Sequence, residues 1–270
     1  MPVLDIALLN AVKQLARVAG KEILKVYASA FEVTQKADDS PLTQADMAAH
    51  RTIIAGLQQL TPEIPILSEE STAIPYAERQ QWQIYWLVDP LDGTREFVKR
   101  NGEFTVNIAL IHHHQAVLGV IHVPVSDTHY FAAQHLGAFK QVADAAVEKI
   151  QVRNCPDDRI VVAGSRSYRD PYVEKFLTQL PLPVELHSIG SSLKACLVAE
   201  GAADIYPRFG DTSEWDTAAA QCIVEQAGGY LTDTLLQPLR YNTKVGLLNP
   251  YFLVFADREQ DWQRYLTGIF

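Results

Sequence analysis

The chain of 270 residues is short of cysteine, of basic charge and of long apolar runs. Its three cysteines, Cys155, Cys196 and Cys222, form no C-x-x-C pair and are odd in number. That argues against a disulfide framework and predicts a reduced, cytoplasmic protein with the thiols as small core residues. Lysine and arginine total 23 against 32 aspartates and glutamates, a net charge of −9. No basic face is on offer to duplex nucleic acid. The longest early apolar stretch, Ile6 to Leu9, is stopped by Asn10, so no signal peptide is predicted. No window approaches the roughly 18 apolar residues of a spanning helix. The phosphate-loop, dinucleotide, zinc-protease and nucleophile-elbow motifs are all absent, as are internal repeats and low-complexity tracts.

What is present is ordinary globular composition, 48% hydrophobic and 20% charged. Apolar residues at 8, 12, 15, 19, 23 and 26 predict one amphipathic helix over Leu4 to Tyr27. A second helix is expected from about Thr43, its N-cap, to Leu60, ended by Pro62 and Pro65. Ile66-Leu67 and Ile84 to Val88 read as buried strands ending in acids. Phe104 to Ile111 and Ala116 to Val123 read as a hairpin around His112 to Gln115, whose histidines are expected to be a solvated turn rather than a metal site. Tyr130 to Ala133 and Ala138 to Val142 suggest a further strand pair. Beyond about residue 150 strands and helices alternate: strands at 160–163, 184–188 and 204–207, and helices at 171–179, 191–201 and 214–227, the last closed by Gly228-Gly229. The chain is accordingly divided near 150, into an N-terminal α+β half (1–150) with the acidic motifs and a C-terminal α/β half (151–270).

Three acidic clusters stand out: Ser68-Glu69-Glu70-Ser71, Asp89-Pro90-Leu91-Asp92-Gly93-Thr94, and Trp215-Asp216. Two follow apolar strands, and carboxylates at strand ends can converge at a sheet edge. Asp89 follows Tyr85-Trp86-Leu87-Val88 and is expected near the core, where a carboxylate needs a partner. Hard divalent cations want such oxygen ligands; Asp89 and Asp92 can share or bridge two. Gly93 lets the backbone turn tightly and approach a phosphate. An EF-hand alignment on Gly93 fails, because Val88, Pro90 and Lys99 fall where oxygen ligands belong.

These motifs, with Thr217-Ala218-Ala219 and Ala227-Gly228-Gly229, resemble the inositol monophosphatase superfamily of metal-dependent, lithium-sensitive phosphatases over nearly the whole chain. Within it the chain most resembles the CysQ-type 3'(2'),5'-bisphosphate nucleotidases, through Asp39 to Asp46, the arginine in Asp89 to Phe97, Gly164-Ser165-Arg166-Ser167, Gly190-Ser191-Ser192-Leu193-Lys194 and Gly201 to Tyr206. Tyr168 stands where some relatives have histidine after Ser-Arg-Ser. The resemblance implies an α+β fold, a layered α/β/α/β/α sandwich of the inositol monophosphatase/fructose-1,6-bisphosphatase type. It further implies that Glu69, Asp89 and the Leu91 carbonyl hold one Mg²⁺ and that Asp89, Asp92 and Asp216 hold a second, with room for a third. Thr94 would orient the attacking water, Asp46 would accept from its hydroxyl, and Glu70 would assist.

Gly93 and Thr94 offer backbone donors to the phosphate, beside Glu69, Leu91, Asp92 and Asp216. Lys194, Arg208 and the helix start at Ser191 are candidates for a second phosphate, which an inositol monophosphatase would not need. The implied activity is hydrolysis of adenosine 3',5'-bisphosphate to AMP and phosphate, with 3'-phosphoadenylyl sulfate as a second substrate, in sulfur metabolism. Inositol-1-phosphate hydrolysis and a catalytically silent ligand-binding protein on the same scaffold are the alternatives. The partner is a small nucleotide bisphosphate rather than nucleic acid. Monomer or homodimer, and peripheral association with the inner face of the cytoplasmic membrane, are left open.

Overall fold

A computed structural model of the chain describes residues 4–30, 33–35, 41–71, 74–154, 156–166, 170–257 and 260–270. Cys155, Tyr168, and the Asp39-Ser40 and Ser167 positions of the quoted motifs lie outside the described residues. In chain order the N-terminal elements are α1 (Ile6–Tyr27), β1 (Val33–Gln35), β2 (Pro41–Thr43), α2 (Gln44–Leu60), β3 (Ile66–Ser68), α3 (Tyr76–Arg79), β4 (Ile84–Asp92), α4 (Thr94–Val98), β5 (Thr105–His112), β6 (Gln115–Val123), β7 (Thr128–Ala133), β8 (Gly137–Val142) and β9 (Glu148–Ile150). There follow β10 (Ile160–Ser165), α5 (Pro171–Gln179), β11 (Val184–Ile189), α6 (Leu193–Ala199), β12 (Ile205–Arg208), α7 (Glu214–Gln226), β13 (Tyr230–Asp233), β14 (Phe252–Phe255) and a closing 3₁₀ turn (Trp262–Leu266).

Two main sheets result. A seven-stranded sheet runs in the order β3-β4-β5-β6-β7-β8-β9, antiparallel except for β3 beside β4. A five-stranded sheet runs β11-β10-β12-β14-β13, parallel on the β11-β10-β12 side. One face of the large sheet buries Trp86, Val88, Ile108 and Leu118 against Leu9, Val12, Ile53 and Leu57 of α1 and α2. Its other face packs Leu87, Ala109 and Ile121 on Cys196, Val198, Ala219, Cys222 and Ile223 of α6 and α7. The outer face of the small sheet is covered by Phe176 of α5 and by Trp262 and Leu266. The layering is therefore helix, sheet, helix, sheet, helix, as the resemblance implies. Apolar residues on both faces of a strand require cover on both sides, and β5 to β7 are of that kind.

Differences from the sequence expectations are local. β4 continues past Val88 through Asp89-Pro90-Leu91 to Asp92. The helix expected over 191–201 is only Leu193–Ala199, with Ser192 as N-cap and Ser191 in a left-handed conformation (φ 48°), so Ser191 is not the helix start. The His112–Gln115 turn bends at His113 and His114 (φ 47° and 65°), and His114 docks on the Tyr241 carbonyl through Nδ1 (2.8 Å) rather than being fully solvated. Cys196 and Cys222 are buried free thiols, their pKa values pushed up by burial.

Candidate active site

β3 and β4 run parallel, so their C-terminal ends share one edge of the large sheet. The Glu69–Ser71 3₁₀ turn leaves β3 there, bringing Glu69 beside Asp89. Asp89 and Asp92 are three apart, and in a regular strand odd spacing sends side chains to opposite faces. The register resolves this. Asp89 pairs with Asn107 and Asp92 with Thr105, so three steps on β4 face two on β5. The extra residue is a bulge, and Pro90 sits in it without needing a ladder N–H. The bulge brings both carboxylates to one side, where a carboxylate oxygen from each of Asp89, Asp92 and Asp216 lies within 4.8 Å of the others.

Asp216 reaches this point from the first turn of α7, where it accepts from the Ser213 amide (2.8 Å). The helix N-terminus carries partial positive charge, which favours an acid there. Asp89 is essentially inaccessible (1% exposed) and accepts from the Leu91 amide at 3.0 Å. Burial pushes its pKa well up, and the neighbouring Glu69, Asp92 and Asp216 push it further. Asp216 is raised to about 8 by burial and then by Asp92 and Glu69. Carboxylates so placed repel one another, and an all-oxygen set with shared charge is what a hard dication relieves. The residues present thus fit a metal centre, with Glu69, Asp89, Asp92 and Asp216 as the side chains that could hold it.

Asp92 is heavily supported. Its Oδ2 accepts from the Ser192 amide and the Ser192 hydroxyl, both at 2.6 Å, with Thr105 Oγ1 at 3.4 Å and Asn107 Nδ2 at 3.5 Å. Asn107 also donates to Ser192 Oγ (2.9 Å). Ser192, Asn107 and Thr105 were given no role by sequence reasoning; Ser192 stood inside a quoted motif, but nothing in the other two signals a site.

Gly93 sits at φ 87°, and a Cβ there would lie 3.2 Å from both the Glu103 carbonyl and Ser191 Cβ, so the turn needs glycine. Thr94, next in line, opens α4; its hydroxyl lies 3.4 Å from Asp46 Oδ1 and 3.3 Å from the Leu91 carbonyl. Asp46 is buried at the third position of α2, where its other oxygen accepts from the amide and hydroxyl of Thr43 (2.7 Å each). The capping and the contact to Thr94 are therefore both made, one by each oxygen. Leu91 packs its side chain into the core under α1 and α2. Glu70 lies near His50, whose Nδ1 is 2.9 Å from Ser68 Oγ.

Lys194 is not a surface charge. It is 6% exposed, donates to the Ser191 carbonyl (2.5 Å), stands over the Tyr206 ring, and has its pKa lowered to about 8 by burial against the raising effect of Asp92. Arg208 is near enough to lower it further and itself donates to the Asp211 carbonyl. Tyr206, over whose ring Lys194 stands, lines a cavity of about 380 Å³ together with Arg208, Arg166, Ser165 and Ser188. Arg166 is held by Glu103, which also accepts from the Gly190 amide (2.8 Å). Ser191 Oγ is buried without a partner.

The profile of the Inositol monophosphatase family matches residues 6–263. The chain is 50% identical over 250 residues to a protein named 3'(2'),5'-bisphosphate nucleotidase CysQ from Escherichia coli (strain K12), covering 92% of this chain and 99% of that one. The protein of the same name from Salmonella typhimurium is 51% identical over the same span. A crystal structure of CysQ from Bacteroides thetaiotaomicron superposes with a TM-score of 0.80 at 43% identity, over 92% of this chain and 97% of that one. An IMPase from Thermotoga maritima shares the fold (TM-score 0.81) at 22% identity, over 98% of each chain.

Proposed function

The chain belongs to the inositol monophosphatase family, and from that premise we propose that it is a 3'(2'),5'-bisphosphate nucleotidase. It hydrolyses adenosine 3',5'-bisphosphate to AMP and phosphate and acts in the same way on 3'-phosphoadenylyl sulfate. The name carried by the relatives from Escherichia coli and Salmonella typhimurium supports this, and one observation in this chain carries it. A buried cation, Lys194, feels the charges of both Asp92 and Asp216 and of Arg208, and it stands over the ring of Tyr206, which lines the cavity together with Arg208 and Arg166. A substrate with one phosphate has no use for that second cationic patch; a nucleoside bisphosphate does.

In this reading Glu69, Asp89 and the Leu91 carbonyl would hold one Mg²⁺, and Asp89, Asp92 and Asp216 would hold the other. Ions held there would supply a water of lowered pKa and neutralise phosphoryl charge. The chain's own residues do the rest. Thr94 accepts a hydrogen bond from the attacking water and donates its own proton to Asp46, which its capping bonds hold in place. Glu70 takes up the water's proton. The Gly93–Thr94 backbone cradles the phosphoryl oxygens. The water oxygen bonds to phosphorus as the P–O3' bond breaks, the 3' oxygen takes a proton from solvent water to leave as a hydroxyl, and Glu70 returns its proton to solvent. Lys194, Arg208 and Ser191 bind the 5'-phosphate, and the cavity takes the nucleoside. Inhibition by Li⁺ belongs to the same proposal.

The deciding assay is phosphate release with Mg²⁺ from adenosine 3',5'-bisphosphate and from inositol 1-phosphate. Faster release from the nucleotide is expected; faster release from the inositol phosphate overturns the reading. Among the described residues no helix is long and apolar enough to cross a membrane.

A further inference from the structure

A second cluster of ligating side chains lies away from the acids, between the large sheet and α1. His122 on β6 and His129 on β7 are paired directly across the strands. Their rings stack at 4.2 Å between centroids and 19° between planes. Both are almost fully buried, at 2% and 1% exposure. Asp127, in the turn between the two strands and left-handed at φ 49°, puts Oδ1 3.6 Å from His129 Nε2. One ligand atom from each of the three lies within 4.8 Å of the others. The Nδ1 atoms of His122 and His129 are buried with no hydrogen-bond partner, which is costly for two ring nitrogens in a core. The helix makes room for the pair: a Cβ on Gly20 would lie 2.5 Å from His122 Cδ2 and Nε2.

We propose that His122, His129 and Asp127 form a binding site for an imidazole-seeking divalent ion, Zn²⁺ or Co²⁺, separate from the catalytic acids. Burial holds both imidazoles neutral, His122 down to about 3 and His129 to about 4, which is the form that ligates. The surrounding charge selects the ion. Arg17 holds both oxygens of Asp127, with Nε at 3.0 Å from Oδ1, and also binds Asp144; Lys13, bonded to Gln141, stands close to His129. With two cations nearby, an ion that binds by charge alone, such as Mg²⁺, gains little here. An ion that binds through nitrogen lone pairs still gains, so nitrogen donors and the affinity order of the first-row metals favour Zn²⁺ and Co²⁺ over Mg²⁺. Occupied, the site ties the β6–β7 hairpin that α1 packs against.

Zn²⁺ titrated into the Asp89→Asn protein under excess Mg²⁺ tests this, with zinc X-ray absorption as the readout. One zinc per chain bearing two imidazole ligands is expected. In the same background His129→Gln should weaken uptake at least tenfold, while His113→Ala, which removes an exposed imidazole elsewhere, should leave it unchanged. The thermal midpoint should rise with Zn²⁺ and stop rising in His129→Gln. Zinc ligated through oxygen alone, equal uptake with and without His129, or loss of uptake on removing His113 overturns the proposal. Should His129→Gln fail to fold, the ligand count by absorption on Asp89→Asn decides alone.

Discussion

Ser192 gives both its amide and its hydroxyl to a single oxygen, Oδ2 of Asp92, each at 2.6 Å and across 100 residues of sequence. The end of β4 and the start of α6 thus meet on one carboxylate of the candidate metal centre. Asn107 in turn donates to the Ser192 hydroxyl, which fixes the direction of its proton. Such partners orient a ligand and tune its basicity.

Ser192→Ala removes one of the two bonds and leaves Asn107 Nδ2 without that acceptor. The Mg²⁺ concentration for half-maximal phosphate release should rise roughly 10- to 100-fold, the usual range for an outer partner of a ligand. A Mg²⁺ titration of initial rates reads this directly. An unchanged midpoint would mean that Asp92 needs no such support.

Lys194→Met keeps the volume and the apolar stem of a buried residue but removes its charge. With the nucleotide bisphosphate, kcat/KM should fall about 10- to 100-fold, the worth of one charge-assisted bond of roughly 1.5–3 kcal/mol. Turnover of inositol 1-phosphate, which has no second phosphate, should change far less. Equal losses on both substrates would place Lys194 in the catalytic pocket instead.

The acids were legible because each follows an apolar strand or opens a helix, and short motifs carried them. α2 and α5 matched their expected spans because Thr43 and Pro171 mark their starts. The bulge was not legible: Asp89-Pro90-Leu91-Asp92 reads as the end of a strand, and only the offset between Asn107 and Thr105 reveals why both carboxylates face one way. Short β13 and β14 carried too little pattern to be noticed, although Phe252-Leu253-Val254-Phe255 is an apolar run. Ser191 was misplaced because a helix of 7 residues gives little periodicity from which to fix its start.

Metal and protons compete for the acid pocket. Asp216 titrates at about 8 when folded against an ordinary 3.8, and Asp89 is also raised well above its ordinary value. A raised folded pKa means the native state binds more protons, so the metal-free protein loses stability as pH climbs from about 4 to about 8. Mg²⁺ displaces those protons. The rise in thermal midpoint on adding Mg²⁺ to chelator-treated protein should therefore grow from pH 5.5 to pH 8, and should shrink in Asp89→Asn. A constant rise across that range would show that these acids are already ionised in the metal-free fold.

At Gly119 the backbone of α7 lies close against the large sheet. A Cβ on it would stand 2.3 Å from the Ala219 carbonyl oxygen and 3.0 Å from Ala219 Cα, and backbone atoms cannot rotate away. Gly119→Ala must push α7, and Asp216 with it, off β6. A loss of about 3 kcal/mol is expected, a drop of roughly 5–10 °C in Tm, with activity falling further than stability accounts for. Differential scanning calorimetry and an assay at saturating Mg²⁺ check the two parts.

The buried histidine pair makes an opposite contribution at low pH. Burial lowers His122 to about 3 and His129 to about 4, well below the ordinary 6.5 of the unfolded chain. Between those limits the unfolded chain takes up protons that the native state refuses, so this part of the stability is complete above pH 6.5 and is lost as pH falls toward 4. Asp127 and the charges of Arg17 and Lys13 pull on His129 in opposing senses, but burial outweighs them. His129→Gln removes one proton site from the balance. With chelator present to exclude metal effects, its Tm should fall less than that of the wild type between pH 7 and pH 5, whatever its starting value. Parallel Tm curves for the two proteins would show that His129 titrates alike in both states, and that its burial sets no acid limit on this fold.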